Sequence, residues 1–175
     1  CLLEEFEKYE MKQAIKKAKV GLEESDRIVV EKPKVQTLSF EAITLDTTEK
    51  LQSVLESIDK DAIVAFDTET TGLDTKVAKM VGFSFCFDAQ RAYYVPVGHN
   101  YLGVEEQVGL DDALSALKKL LKHNIVGQNL KFDFSLLYNQ FDIEPSIPYA
   151  DTMIMAWLSN PGSKIGLDKI GRAHV

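Results

Sequence analysis

Ile63, Val64, Ala65 and Phe66 run without a break into Asp67, Thr68, Glu69 and Thr70. A short continuous apolar run of this kind reads as a strand buried on both faces of a sheet. Side chains two apart on a strand share a face and stand about 6.6 Å apart, at a rise of ~3.3 Å per residue. Asp67 and Glu69 therefore converge at the end of a buried strand. Like charges so placed raise each other's pKa unless a cation lies between them. Hard divalent ions with oxygen ligands, Mg²⁺ or Mn²⁺, relieve the repulsion. The structural alternative is that one of the two carboxylates caps a turn beside Gly72.

A second junction of the same kind follows at Gly127, Gln128, Asn129, Leu130, Lys131, Phe132 and Asp133, after a short strand at Ile125 and Val126. Strand ends on one edge of an α/β sheet cluster, so Asp133, in the first turn of a helix from about Leu130 to Gln140, can reach the Asp67 pocket. Asn129 is placed to cap that helix through its side-chain oxygen, or to touch a phosphate.

The rest of the pattern supplies the sheet and its helices. Alternation begins at Ser39. Asp46 with Glu49 resembles a capping box ahead of a helical face of Leu51, Val54, Leu55 and Ile58. Val81, Phe83, Phe85 and Phe87 alternate, and Ala92 to Val97 is aromatic and β-branched, as strands are. Helices are expected over Asp111 to Lys122 and Thr152 to Leu158, with a turn containing Pro145 and Pro148 before the latter and Asp151 as its cap. An antiparallel region feeding alternating strands and helices gives an α/β fold with a mixed sheet.

Composition narrows the function. The apolar runs are far short of the roughly 20 residues that span a bilayer, and the acidic start has no signal-peptide blocks, so a cytoplasmic protein without membrane contact is expected. The net charge is -7. Residues 1–36 carry eight acids and eight bases, so the imbalance falls on the remainder. An acidic domain repels phosphate and must hold nucleic acid through a few local contacts or through metal. Cys1 and Cys86 form no framework, and Cys86 is expected buried and reduced. His99, His123 and His174 lack ligand spacing. Trp157 and the four methionines fit helix cores, and Lys118, Lys119 and Lys122 form a basic helix face that reads as solvated surface.

Three segments carry a family resemblance: FDTETTGLD at 66–74, VGQNLKFD at 126–133 and ADTMIMAWLSN at 150–160. With AYYVPVGHNYL at 92–102, they resemble the proofreading 3′-to-5′ exonuclease domain of bacterial DNA polymerase I, of the DEDD superfamily on an RNase H-like fold. The likeness runs from about Val35 to Lys169. It implies a mixed sheet flanked by helices, a tail helix of a preceding 5′ nuclease domain at 1–22, a linker at 23–35 and a partial exonuclease domain at 36–169. Residues 170–175, IGRAHV, look like a non-native tail.

The resemblance implies two-metal hydrolysis of DNA from its 3′ end. Asp67 would bridge two Mg²⁺ or Mn²⁺ ions, Glu69 would bind the water-activating one, and Asp133 would hold the second through water. Thr70, Leu73, Gln128, Asn129 and Phe132 are the implied nucleic-acid contacts. Leu73 would wedge against terminal bases and favour single-stranded or frayed 3′ ends. Phe132 stands where relatives have tyrosine, and core packing is the other use for it and for Leu73. The partners implied are DNA and the covalently linked polymerase and 5′ nuclease domains of a bacterial cytosolic, nucleoid-associated enzyme. The third motif, a tyrosine followed four residues later by an aspartate on a later helix, is expected beyond Lys169. The domain is thus expected to be C-terminally truncated, with an incomplete active site and weak activity. The alternatives are an RNA 3′-to-5′ exonuclease of the same superfamily and a non-catalytic exonuclease-like module, which the surviving Asp67, Glu69 and Asp133 argue against.

Overall fold

The computed structural model describes residues 40–145, 149–162 and 164–167. The expectations for 1–22, 23–35 and 170–175 lie outside the described residues. Ten elements follow in order: β1 (Glu41–Thr44), α1 (Thr48–Glu56), β2 (Ile63–Thr70), β3 (Met80–Cys86), β4 (Arg91–Pro96), α2 (Leu110–Leu120), β5 (Asn124–Gly127), α3 (Leu130–Phe141), β6 (Tyr149–Asp151) and α4 (Thr152–Ser159). The strands form one sheet in the order β1-β4-β3-β2-β5-β6. β2, β3 and β4 run antiparallel to their neighbours in that trio, and β1–β4, β2–β5 and β5–β6 pair in parallel. This is the expected mixed α/β sheet.

One face of the sheet carries the core. Val64, Phe66, Phe83, Phe85, Tyr93, Val95 and Ile125 are buried there with Ala113, Leu117 and Leu120 of α2 and Leu130, Leu136 and Leu137 of α3. Phe85 stacks on Tyr93 with ring centroids 5.2 Å apart, and Phe83 lies 6.3 Å from Phe66. Each such aromatic pair adds roughly 0.5–1.5 kcal/mol to its area burial. α1 is tied to α2 by the Thr48 hydroxyl, which donates to Asp112 at 2.8 Å.

Several sequence expectations are corrected. β2 is buried on one face only. Ile63 is 67% exposed, and the strand continues through Thr70, so Asp67 and Glu69 stand within it and not past its end. α1 is capped by Thr47, whose hydroxyl accepts from the Lys50 N–H at 3.3 Å, while Asp46 pairs with the Lys50 ammonium at 2.6 Å. β6 was not expected, because three residues are too few to show a period. Of the methionines in the described residues, Met80 is buried, but Met155 and Trp157 of α4 are more than half exposed. Cys86 is half-buried and free. Among the described residues no helix is long and apolar enough to cross a membrane.

Candidate active site

The site begins where β2 outruns its neighbour. β5 pairs with β2 only from Ile63 to Ala65, so the β5-side edge of Asp67 to Thr70 has no strand beside it. The chain leaves β5 at Gly127 and turns into α3, which brings Asp133 to that bare edge. Asp133 Oδ1 accepts from the Thr68 N–H at 2.9 Å and from the Thr68 hydroxyl at 2.6 Å. The edge N–H is thereby satisfied and the carboxylate fixed. Both bonds fall on Oδ1, and among the described residues Oδ2 makes no hydrogen bond. Asp133 is 2% exposed. Burial pushes its carboxyl up, the Thr68 bonds oppose that shift, and Asp151 adds to it.

Asp67 and Glu69 project from the opposite, open face of β2. The ladder slips between Glu69 and Thr70, with Glu69 opposite Gly82 and Thr70 opposite Met80. Val81 is the extra residue of a bulge beside Glu69, a device that re-aims side chains next to functional sites. Asp67 is pushed up to about 6, first by burial of its carboxyl against the cleft wall, then by the charges of Asp133 and Glu69. Asp67, Glu69 and Asp133 line one cleft of about 390 Å³ together with Thr68, Thr70, Leu73, Gln128, Asn129 and Phe132.

All eight sequence-predicted site residues meet in that cleft, but their surroundings differ. Leu73 is 90% exposed, which removes core packing as its role. Phe132 is half-buried. The Thr70 hydroxyl closes the turn by donating to the Gly72 carbonyl at 2.8 Å. Gln128 is held at both ends of its amide, donating to the Ile165 carbonyl at 2.9 Å and accepting from the Thr152 hydroxyl at 2.5 Å. Asn129 does not cap α3. It sits in the left-handed region at φ 59 with no side-chain cap bond, and its N–H donates to Asp151 Oδ1 at 3.0 Å. The same oxygen accepts from Met153 and Ile154 at 2.9 and 3.4 Å, so Asp151 caps α4 as expected while also holding the β5–α3 turn.

Sequence reasoning missed Thr68, whose signal lies only in its place between the two acids, and missed Tyr94 and His99, which hydrogen-bond to each other near Glu69. Burial raises the Tyr94 phenol, and Glu69 and Tyr101 add to the shift. The tyrosine-to-aspartate spacing assigned beyond Lys169 also occurs inside the chain, at Tyr138 and Asp142. Asp142 is the C-cap of α3, about 13 Å along the helix from Asp133 at ~1.5 Å per residue, and neither residue of the pair lines the cleft.

The donor set, three carboxylates on one cleft, suits a hard divalent cation. The three stand apart, and among the described residues no three His, Cys, Asp or Glu side chains form a ready-made cage.

The same fold occurs in Escherichia coli RNase D, an exoribonuclease, with TM-score 0.55 and 19% identity over 78% of this chain and 33% of that one. It occurs also in Brucella melitensis NrnC, with TM-score 0.51 and 19% identity over 77% of this chain and 59% of that one. Sheet order and helix placement thus define an RNase H-like fold. Residues 42–173 match the family described as 3′-5′ exonuclease, and the chain belongs to that family. Among curated relatives, DNA polymerase I of Borreliella burgdorferi is 33% identical over 143 residues, covering 80% of this chain and 15% of that protein. DNA polymerase I of Pseudomonas aeruginosa is 44% identical over 88 residues, covering 49% of this chain and 10% of that protein. The chain therefore spans a small part of the length of these relatives.

Proposed function

We propose that this chain carries the site for metal-dependent removal of 3′-terminal nucleotides from DNA, with Asp67, Glu69 and Asp133 as the catalytic and metal-binding carboxylates. The observation that carries the reading is the single cleft lined by these three acids, drawn from segments more than sixty residues apart. Asp67 and Glu69 would hold cations from the open face of β2, and Asp133 from α3, with Thr68 fixing its orientation. Two ions, Mg²⁺ or Mn²⁺, are proposed. When bound, they supply the Lewis acidity that lowers the pKa of an attacking water and stabilises a leaving 3′ oxygen.

The remaining cleft residues position the strand. Leu73 is free to press against a terminal base, an apolar contact that reads no sequence and favours single-stranded or frayed 3′ ends. Phe132 packs beside the sugar, lacking the hydroxyl that a tyrosine would bring. Thr70 and Asn129 offer polar groups to the backbone phosphate. Gln128, tied to Ile165 and Thr152, contacts the nucleotide as a rigid part of the wall. Similarity to DNA polymerases I supports DNA as the substrate, polymerase and 5′ nuclease domains in the same polypeptide as partners, and the bacterial cytosol as the location. Among the described residues the cleft is lined by three carboxylates and no tyrosine, so the site is read as incomplete and trimming by these 175 residues as slow.

A 3′-labelled single-stranded DNA and the RNA of the same sequence, each with and without Mg²⁺, test this. Slow Mg²⁺-dependent shortening of the DNA that Asp67→Ala abolishes is expected. Equal trimming by Asp67→Ala, or activity surviving chelation, overturns the site. Preference for RNA overturns the substrate, and rapid digestion overturns the incomplete site.

A further inference from the structure

We propose that Tyr94, aimed by His99, is a positioning residue for the Glu69 carboxylate, its hydroxyl sitting over Gly82, the residue directly opposite Glu69 in the β2–β3 ladder. The inference rests on the reading of Glu69 as a metal ligand. Asp67 pairs with Ser84 and Ser84 with Tyr94, so Tyr94 belongs to the same open face of the sheet as the two acids. From there its ring leans along the sheet. A Cβ at position 82 would fall 2.2 Å from the Tyr94 hydroxyl oxygen and 2.8 Å from the Val95 carbonyl. Glycine at 82 is what leaves the notch that the phenol fills.

The hydroxyl is not left to rotate freely in that notch. Its partner is His99 Nε2. The backbone of the histidine is itself clamped, because its main-chain N–H donates to Gln107 Oε1 at 2.7 Å and its main-chain carbonyl accepts from Gln107 Nε2 at 3.0 Å. Tyr101 meets the imidazole edge-on, with ring centroids 5.8 Å apart. When His99 carries its proton on Nε2, it donates to the phenol oxygen, and the one phenolic proton is free to point at the carboxylate across Gly82. In the other tautomer the phenol must donate to His99 and turns lone pairs toward a negative charge. The imidazole tautomer thus decides whether Tyr94 steadies Glu69 or repels it. Hydrogen bonds to a ligating carboxylate hold its rotamer and tune its basicity, and removing one commonly costs 10–100-fold in metal affinity.

The test uses the full chain with Mn²⁺ alone as the probe, titrated by electron paramagnetic resonance, beside Tyr94→Phe, His99→Phe and Asp67→Ala. Tyr94→Phe keeps the ring, and His99→Phe keeps a ring against Tyr101 while breaking the orienting bond. Both are expected to weaken Mn²⁺ binding by about 10-fold with the metal-free melting midpoint little changed. Trimming of single-stranded DNA should lose kcat with KM unchanged, and the nitrogen spectrum of His99 should show a protonated Nε2. Unchanged Mn²⁺ affinity in Tyr94→Phe, with binding lost in Asp67→Ala, overturns the role of Tyr94 and leaves the site standing. If Tyr94→Phe also lowers the midpoint, the proposal stands only where His99→Phe gives the same loss of affinity, and fails otherwise. If Asp67→Ala still binds Mn²⁺ as the parent does, the metal site itself fails and this role with it.

Discussion

A carboxyl held at about 6 by burial and by two acidic neighbours makes the folded chain sensitive to pH in a definite direction. Below the ordinary value of 3.8 the Asp67 group is protonated in folded and unfolded chains alike and contributes nothing. As pH rises from there toward 6, the unfolded chain releases the proton while the folded one keeps it, so stability falls. The full penalty is present above that window. Because Asp67 is solvent-facing, screening reduces the penalty to the order of 1 kcal/mol. Asp67→Asn should therefore raise the metal-free melting midpoint by roughly 2–4 °C at about pH 7.5 and leave it unchanged at about pH 3.5, as read by scanning calorimetry. Mg²⁺ should stabilise the parent but not the variant near neutrality. A variant less stable than the parent at about pH 7.5 would show that neither burial nor the charges of Asp133 and Glu69 penalise the ionised Asp67.

The β5–α3 turn and the start of α4 depend on one side chain. Asp151 Oδ1 receives N–H groups from Asn129 on one element and from Met153 and Ile154 on another. Losing a helix cap costs about 1 kcal/mol, and stranding a partly buried N–H costs a further ~1–3 kcal/mol. Asp151→Ala should thus lower stability by roughly 2–4 kcal/mol, with Asp151→Asn, which keeps an accepting oxygen, losing less than half as much. Urea unfolding at constant m-value measures both, and equal losses would mean that packing dominates and the hydrogen bonds do not. The cap was legible in the sequence because an aspartate before an apolar helix has few other uses. The turn was not. Asn129 reads as a cap by residue type, yet its left-handed backbone moves the side chain out of reach of the helix N–H groups, and the accepting carboxylate lies twenty-two residues away in the chain. Helices and the alternating strands β3 and β4 were legible within a residue or two, whereas β2 runs four residues past the end of its apolar run, to Thr70. β6 was not, because its pairing with β5 comes from the sheet and not from any pattern of its own.

Over the whole molecule, periodicity located the covered face of the sheet but misjudged the open one. Ala65, Ser84, Cys86, Ala92 and Val126 line a hollow of about 420 Å³ on that face, and α4, apolar nearly all round, buries none of its residues. Apolar text reads as core whichever side is covered, which is why Trp157 and Met155 were expected inside. That the three acids share one cleft was legible because their electrostatic cost is local, whereas burial depends on which elements are present to cover a face. Charge, by contrast, is a property that the sequence delivers whole. The excess of acids falls outside residues 1–36, and among the described residues the cleft lining holds no lysine or arginine. A strand held by Lys and Arg releases counterions, and its affinity falls with salt by about -0.7 in log–log slope per neutralised phosphate. Here the attraction should come through divalent cations. Binding of a single-stranded oligonucleotide with a non-hydrolysable 3′ linkage, followed by fluorescence anisotropy in Mg²⁺, should show a slope shallower than about -1 in NaCl and should vanish on chelation. A slope of about -3 or steeper, or affinity that survives chelation, would mean that a basic track carries the strand, with the exposed Lys118, Lys119 and Lys122 on and just after α2 the first residues to replace.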